Sequence, residues 1–206
     1  MTYGTAETFI RNRLAEDSPT ANQEVWTEAM VHDAFHEGEL RVASDLPDDA
    51  LFYLTQIETL TNQSGDSMAL PSTNKMLRLI RMEINSKETR IVNPKTGLRV
   101  GNTDSLWRGT TSQYTAYFHD ANVVIFPSIS SQTVSYFYID TPDDGSGTDA
   151  TASDLEDHHA IIAILYAASI CWERVDEVQL AAMNYNKYND AINGVWARLD
   201  GRHGFK

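Results

Sequence analysis

Two histidines one helical turn apart are the residues whose spacing most directly suggests chemistry. His32 and His36 are four positions apart, so both imidazoles lie on one face of a helix. Two histidines at this spacing can bind zinc. A metal-dependent hydrolase would also need a general base, and Asp33 is one methylene short for that role, while Glu37 and Glu39 are poorly placed as further ligands. A solvated polar helix face therefore explains the pair without a metal.

The second cluster of titratable residues is the run Glu156–His159. Ser153 followed by Glu156 has the spacing of a capping box, and acidic residues are favoured in the first turn of a helix. Helix capping therefore explains this cluster without a metal. A joint site with His32 and His36 would form only if the two helices meet, which the sequence leaves open.

Other catalytic signatures are missing from the sequence. The acidic stretch Asp140–Asp149 is similar in composition to a calcium loop, but Pro142 occupies the third ligand position when Asp140 is the first. The lone cysteine, Cys171, lies in the apolar run Ala160–Trp172 and is better explained as a small buried residue than as a nucleophile. We find no glycine-rich phosphate loop and no nucleophile elbow. We therefore assign no catalytic residue, metal or cofactor, and predict that the chain is not an enzyme.

Aromatic side chains concentrate in the second half of the chain's β-patterned middle. Such side chains can stack on sugars, which leaves a carbohydrate-binding module as an alternative function. On adjacent strands they more often pack against one another. The six residues are Tyr114, Tyr117, Phe118, Tyr136, Phe137 and Tyr138.

Composition narrows the class of protein further. The chain has 206 residues, of which 42% are apolar, so it can form a domain with a sizeable core. Its formal net charge of −13 disfavours binding to nucleic-acid phosphates and to anionic membranes. No signal peptide is visible at Met1–Gly4, and the apolar run Ala160–Trp172 is too short to span a bilayer. We expect synthesis in the cytoplasm and no association with membranes.

The elements that must position these residues change character along the chain. We predict an α+β fold in which the terminal helices form a helical bundle and an antiparallel β-sheet is inserted in the middle. The predicted regions are residues 1–51 for the N-terminal helices of the bundle, 52–142 for the β-rich insertion, 143–152 for a linker, 153–200 for the C-terminal helices of the bundle, and 201–206 for a flexible tail.

Two helices are predicted at the N-terminus, over Thr5–Ala15 and about Asn22–Ala43. Phe9 is placed on the apolar side of the first. A capping box beginning at Thr20 favours the start of the second, and Gly38 weakens it.

Strands are predicted where apolar and polar residues alternate. One covers Tyr53–Thr61, and a meander of three strands covers Tyr114–His119, Val123–Phe126 and Thr133–Ile139. Proline lacks the N–H that a sheet requires, so we expect Pro127 to end the middle strand of the meander.

Two helices are predicted at the C-terminus. The first starts at Ser153 and runs to about Glu173, and it is buried because it is apolar nearly all round. The second spans about Asp176–Leu199, and its apolar residues recur at intervals of three and four, as in a coiled-coil seam. Such a seam packs against a helix of the same subunit or of a neighbour. The seam residues are Val178, Ala181, Tyr185, Tyr188, Ile192, Val195 and Leu199.

A series of short sequence motifs follows a recognisable order along residues 20 to 200. A helix leads to a hairpin with the pattern T-x-T, then G, then L-P. An apolar strand, a Tyr-containing strand, an apolar strand ending in Pro, a further strand and two helices follow. The residues that carry these motifs are Thr59, Thr61, Gly65, Leu70, Pro71, Leu77–Ile84, Tyr114, Val123–Pro127, Val134–Pro142, Asp154–Trp172 and Val178–Leu199. This order resembles tailed-bacteriophage head-to-tail adaptor proteins, which are also called connector or head-completion proteins.

The resemblance implies a structural virion protein at the head–tail junction, made in the host cytoplasm. It implies a homo-oligomeric ring, commonly of twelve subunits, that binds the portal protein, receives tail or neck proteins and extends the DNA channel without specific DNA binding. A flexible tail could become ordered on the portal. The candidate docking tail is Gly201, Arg202, His203, Gly204, Phe205 and Lys206.

Two alternatives to the adaptor remain open besides the carbohydrate-binding module. A tail-side neck or tail-completion protein would share most of these features. A small metal-dependent hydrolase would use His32 and His36 and would bind one zinc ion per chain.

Overall fold

The computed structural model describes residues 1–17, 25–70, 76–93, 109–110, 112–119, 122–145 and 148–203. The chain divides into two compact units, a helical unit of Met1–Leu54 with Thr141–Lys206 and a sheet unit of Thr55–Asp140. The helical unit contains α1 (Tyr3–Asp17), α2 (Glu28–Asp45), α3 (Asp157–Glu173) and α4 (Val178–His203). The sheet unit contains β1 (Thr55–Ala69), β2 (Met76–Ile84), β3 (Lys87–Glu88), β4 (Arg90–Ile91), β5 (Thr115–His119) and β6 (Asn122–Asp140). The predicted mixture of helices and sheet is confirmed, while the bundle geometry stays a prediction.

Helix α3 is the central element of the helical unit. It packs against α1, α2 and α4, which explains why its sequence is apolar nearly all round. Most of its residues are buried, including Cys171, as predicted. Burial raises the pKa of the Cys171 thiol to about 11, so the thiolate is disfavoured near neutral pH.

The N-terminal helices differ from their predicted limits. Helix α1 turns Ile10 and Leu14 into the core and leaves Phe9 exposed, so the apolar side was placed wrongly for Phe9. Helix α2 begins at Glu28, where the Thr27 hydroxyl caps it by accepting a hydrogen bond from the Met30 N–H at 3.3 Å. The capping box predicted at residues 20–23 lies outside the described residues.

Helix α3 begins at Asp157 instead of Ser153, which corrects the predicted capping box. The Ser153 hydroxyl accepts a hydrogen bond from the N–H of Leu155 at 3.1 Å and donates one to the Glu39 carboxylate. The local turn and the distant carboxylate occupy the side chain that would otherwise cap the helix. Glu156 is the N-cap residue and makes no side-chain capping bond.

Strand β6 is the longest strand described and organises the sheet unit. Strand β1 pairs with it along one edge, while β5 and β2 pair with different parts of its other edge. Pro127 does not end this strand, contrary to the prediction. On one edge, Pro127 lies between Phe126, the last residue paired with β5, and Val134, the first paired with β2. On the β1 edge it lies in a register shift between Val124 and Ile129, so no ladder hydrogen bond needs its missing N–H.

The remaining strands curl the sheet back on itself. Strands β2 and β3 form a hairpin whose turn residues, Asn85 and Ser86, both have positive φ, as a type I′ turn requires. The chain then leaves β2, and β4 pairs in parallel with β5, with Arg90 opposite Thr115. This parallel pair corrects the expectation of a purely antiparallel sheet. The segment Lys87–Ile91 thus pairs first with β2 and then with β5, so the sheet is partly barrel-like.

The alternation of β6 explains the core of the sheet unit. Every second side chain over much of the strand points inward, where it meets residues from β2 and β5. The buried set is Met68, Met82, Ile84, Tyr114, Ala116, Val123, Ile125, Ile129, Val134, Tyr136 and Tyr138.

Candidate functional site

The predicted packing seam of α4 is divided between the core and the surface. Tyr188, Ile192 and Val195 are buried within the helical unit. Near the start of the helix, Val178 is 71% exposed and Tyr185 is 38% exposed. Ala181 and Leu199 are half-buried. The surface-facing part of the seam is therefore not used for packing among the described residues.

The exposed end of the seam borders a cleft of about 300 Å³ between α3 and α4. Three tyrosines form an aromatic cluster beside it, with the Tyr166 ring centroid 5.2 Å from that of Tyr188 and 6.1 Å from that of Tyr185. The Tyr188 hydroxyl donates to Asp45 at 2.8 Å. Burial, together with this carboxylate, raises the pKa of Tyr188. The lining residues are Tyr166, Ser169, Ile170, Glu173, Val178, Ala181, Ala182 and Tyr185.

A buried polar cluster that the sequence analysis missed joins α1, α2 and the segment before α3. Glu39 is fully buried and accepts hydrogen bonds from the Tyr3 hydroxyl at 2.5 Å and from Ser153. His36 Nδ1 lies 3.6 Å from the same carboxylate. The Glu39 side chain raises the pKa of His36 against the opposing effect of burial. Only the close spacing of Glu39 and His36 was visible in the sequence; Tyr3 and Ser153 are distant from both.

The two histidines that suggested a zinc hydrolase belong to different clusters. His36 faces Tyr3 and Glu39, whereas His32 Nε2 lies 3.4 Å from Glu7 and 3.3 Å from Asp149. Across the described parts of the chain, one group of three or more histidine, cysteine or acidic ligand atoms lies within mutual reach, and it consists of Glu7, His32 and Asp149. The paired His32/His36 site is therefore not formed, and neither is a joint site with the histidines of α3.

His159, at the start of α3, is buried as a neutral imidazole. Its Nδ1 lies 2.7 Å from the Tyr53 hydroxyl, which donates to it when the ring is neutral. Burial lowers the pKa of His159 to about 4, and the nearby positive charges of His158 and Arg198 act in the same direction. His159 lines a second cleft of the helical unit, and the acidic residues Asp49 and Glu156 line it too. The run Glu156–His159 therefore makes a packing contact with the 3-10 turn at Phe52–Leu54.

We expect His159 to make the protein less stable in mild acid. The unfolded imidazole binds a proton near its ordinary pKa of 6.5, and the folded one only near 4, so the unfolded state takes up more protons between these values. The contribution of His159 to the free energy of unfolding is fully present above about pH 6.5 and falls by up to about 3 kcal/mol as the pH drops to 4. Urea unfolding measured across this range checks the expectation. The loss should shrink in His159→Gln and persist in His119→Gln, which changes an exposed histidine; an equal loss in all three proteins would contradict it.

The remaining sequence candidates are mostly structural. Tyr114, Tyr117, Tyr136 and Tyr138 are buried, which removes most of the aromatic surface proposed for sugar stacking. Phe137 stacks beneath the Arg81 guanidinium, 4.1 Å from the ring centroid. Burial raises the pKa of Tyr136 to about 12.

The candidate docking tail is only partly described. Helix α4 continues through Gly201, Arg202 and His203, so the predicted flexible tail begins no earlier than Gly204. Residues 204–206 lie outside the described residues.

Comparison with known proteins identifies the family. No curated protein matches the chain significantly. Among the described residues, no helix is both long enough and apolar enough to cross a bilayer. The family model described as SU10 adaptor protein matches residues 1–204, nearly the full length. The chain therefore belongs to the SU10 adaptor protein family, which confirms its resemblance to bacteriophage head-to-tail adaptor proteins.

Proposed function

We propose that the protein forms a ring of identical subunits, twelve in number, that joins the portal to the tail at the head–tail junction and extends the DNA channel. Family membership supports a structural adaptor of a bacteriophage, and therefore a virion component with portal and tail proteins as partners. The ring, its copy number and its place on the portal are the parts that we propose.

The exposed end of the α4 seam carries the proposal. Val178 and Tyr185 continue the spacing of the buried Tyr188 and Ile192, yet they face solvent beside an apolar cleft. Clustered exposed apolar side chains are typical of protein–protein contacts. In a ring of identical subunits, each subunit would present this surface to its neighbour. We infer that a neighbouring subunit covers Val178 and Tyr185, while the helices of each subunit form a bundle.

Charge supports the proposed path of DNA. The chain carries 29 acidic and 16 basic residues, and a predominantly negative wall repels the phosphates of DNA instead of binding them. DNA would then slide through the channel without specific contacts. The basic residues Arg202 and Lys206 belong to the segment that we propose to dock on the portal.

The seam can be tested by assembly in solution. Mass photometry of the full chain, alone and mixed with the portal of its own virus, should detect a portal-bound ring and give its copy number. In Val178→Asp a charge enters the proposed subunit contact, so ring formation should be lost. Phe52→Asp is the matched control because Phe52 is 70% exposed, against 71% for Val178, and lies outside the cleft. It should still form rings.

The outcomes separate the alternatives. A wild-type monomer that ignores the portal would contradict the adaptor function, and a ring that binds only tail proteins would favour a tail-side neck or tail-completion protein. If Val178→Asp forms normal rings, the proposed subunit contact at the α4 seam is wrong, while the ring itself stands. Removal of residues 201–206 should weaken portal binding, and full binding by the truncated protein would exclude the docking tail.

A further inference from the structure

Three side chains from distant parts of the sequence converge within the helical unit. Glu7 comes from α1, His32 from α2, and Asp149 from the segment between β6 and α3. His32 Nε2 lies 3.4 Å from Glu7 Oε2 and 3.3 Å from Asp149 Oδ1, and all three ligand atoms lie within 4.8 Å of one another. We propose that Glu7, His32 and Asp149 bind a zinc ion that links these three segments.

The two separations from His32 fit a tetrahedral ion. Zinc binds histidine nitrogen and carboxylate oxygen at about 2.0–2.2 Å, so two ligands at tetrahedral corners are about 3.3–3.5 Å apart. Both distances from His32 Nε2 equal this edge. They are also longer than a usual N–H···O hydrogen bond of about 2.7–3.2 Å. A water molecule would complete the fourth position, as in other sites with three protein ligands.

Neighbouring residues hold two of the ligands in place. The second carboxylate oxygen of Glu7 accepts a hydrogen bond from Arg11 Nε at 2.6 Å, which fixes the rotation of the carboxylate and leaves Oε2 towards His32. The N–H of Gly4 donates to the backbone oxygen of Asp149 at 3.1 Å. A Cβ at Gly4 would lie 2.9 Å from that of Asp149, so only glycine allows this approach.

Burial and charge also suit a divalent cation. The His32 side chain is 1% exposed, whereas that of Asp149 is 63% exposed. The inner side of the group is therefore shielded from water, and its outer side is open to an ion that enters from solvent. The two carboxylates carry two negative charges and the Arg11 guanidinium beside Glu7 offsets one of them, so the group keeps a net negative charge that attracts a zinc ion. Because the ligands come from three separate segments, bound zinc would stabilise the folded helical unit and not the unfolded chain.

Metal binding to the full-length protein tests the proposal. After treatment with a chelator and its removal, titration with zinc chloride by calorimetry should show one ion per chain, and zinc should raise Tm. Cobalt(II) should give the intense visible absorption of a tetrahedral site. Asp149→Asn changes an exposed side chain at constant size, so it should fold normally and bind zinc at least about tenfold more weakly.

A matched control uses a second histidine–carboxylate pair. His158 Nδ1 lies 3.4 Å from Glu156, the same distance as in the proposed site, but both side chains are exposed, and among the residues that the structure describes no third ligand joins them. His158→Gln should therefore leave zinc affinity unchanged. Absence of zinc binding by the wild-type protein would overturn the proposal. So would equal affinity in Asp149→Asn, loss of binding in His158→Gln, or a cobalt spectrum of octahedral type.

Discussion

Trp172→Ala is expected to lower the free energy of unfolding by about 3–5 kcal/mol, the usual range for removing a buried tryptophan. The Trp172 side chain lies at the end of α3 and is 2% exposed. Its ring packs edge-on against Trp26, with centroids 5.0 Å apart, and its Nε1–H donates to Asp17 at 3.2 Å. The substitution leaves a cavity and removes one of the hydrogen bonds to the Asp17 carboxylate, which still accepts one from Asn184 Nδ2 at 2.6 Å, so both effects lower stability.

Trp196→Ala provides the matched control for this prediction. Trp196 is 43% exposed on α4, and its Nε1–H donates to the backbone oxygen of Asp45 at 3.1 Å. Its removal loses a hydrogen bond but opens no buried cavity, so the expected loss is about 1 kcal/mol. Urea unfolding followed by far-ultraviolet circular dichroism measures both. Similar losses in the two variants would contradict the burial of Trp172 against Trp26.

Gly38→Ala is expected to destabilise the protein, although alanine is the better helix former. A Cβ at Gly38 would lie 2.5 Å from the backbone oxygen of Ala163, so α2 and α3 would have to separate. Overpacking of this kind costs about 1–3 kcal/mol or more, while the gain in helix propensity is about 1 kcal/mol. Because the Cβ would clash with a backbone atom, side-chain adjustment cannot relieve the contact. We therefore expect the free energy of unfolding to fall by about 2 kcal/mol.

The same substitution elsewhere in the helical unit should have the opposite sign. Gly194 lies within α4, and a Cβ there would meet nothing within 4 Å. Gly194→Ala should raise the free energy of unfolding by about 0.5–1 kcal/mol, since only the propensity change remains. Both variants can be compared by urea unfolding. Stabilisation by Gly38→Ala would contradict the close approach of α2 and α3.

Features fixed by local pattern could be predicted from the sequence. The apolar content of α3 predicted its burial, and alternation predicted the paired strands around Tyr117 and Val124. Gly38 shows the limit of such reasoning. Its type alone indicated a weakened helix, whereas its position against Ala163 depends on how α2 and α3 cross.

The buried polar clusters could not be predicted, because they depend on contacts between distant segments. Four positions separate His32 from His36, which suggested one shared site. In the fold, His32 meets Glu7 and Asp149, and His36 meets a different carboxylate. Pro127 failed as a strand breaker for a related reason, since its effect depends on whether a neighbouring strand needs its N–H at that point.

The helical unit is assembled from two stretches of chain, Met1–Leu54 and Thr141–Lys206, with the whole sheet unit between them. Helix α3, which α1 and α2 pack against, is synthesised only after the sheet unit. During translation, α1 and α2 are therefore made before α3, the helix against which they pack. The sheet can shorten the search that follows, because Thr55 pairs with Ile139 and brings the two ends of the intervening chain together. Once the sheet unit has folded, a short connection takes the place of a long flexible loop. Less conformational entropy is then lost when α1 and α2 pack against α3.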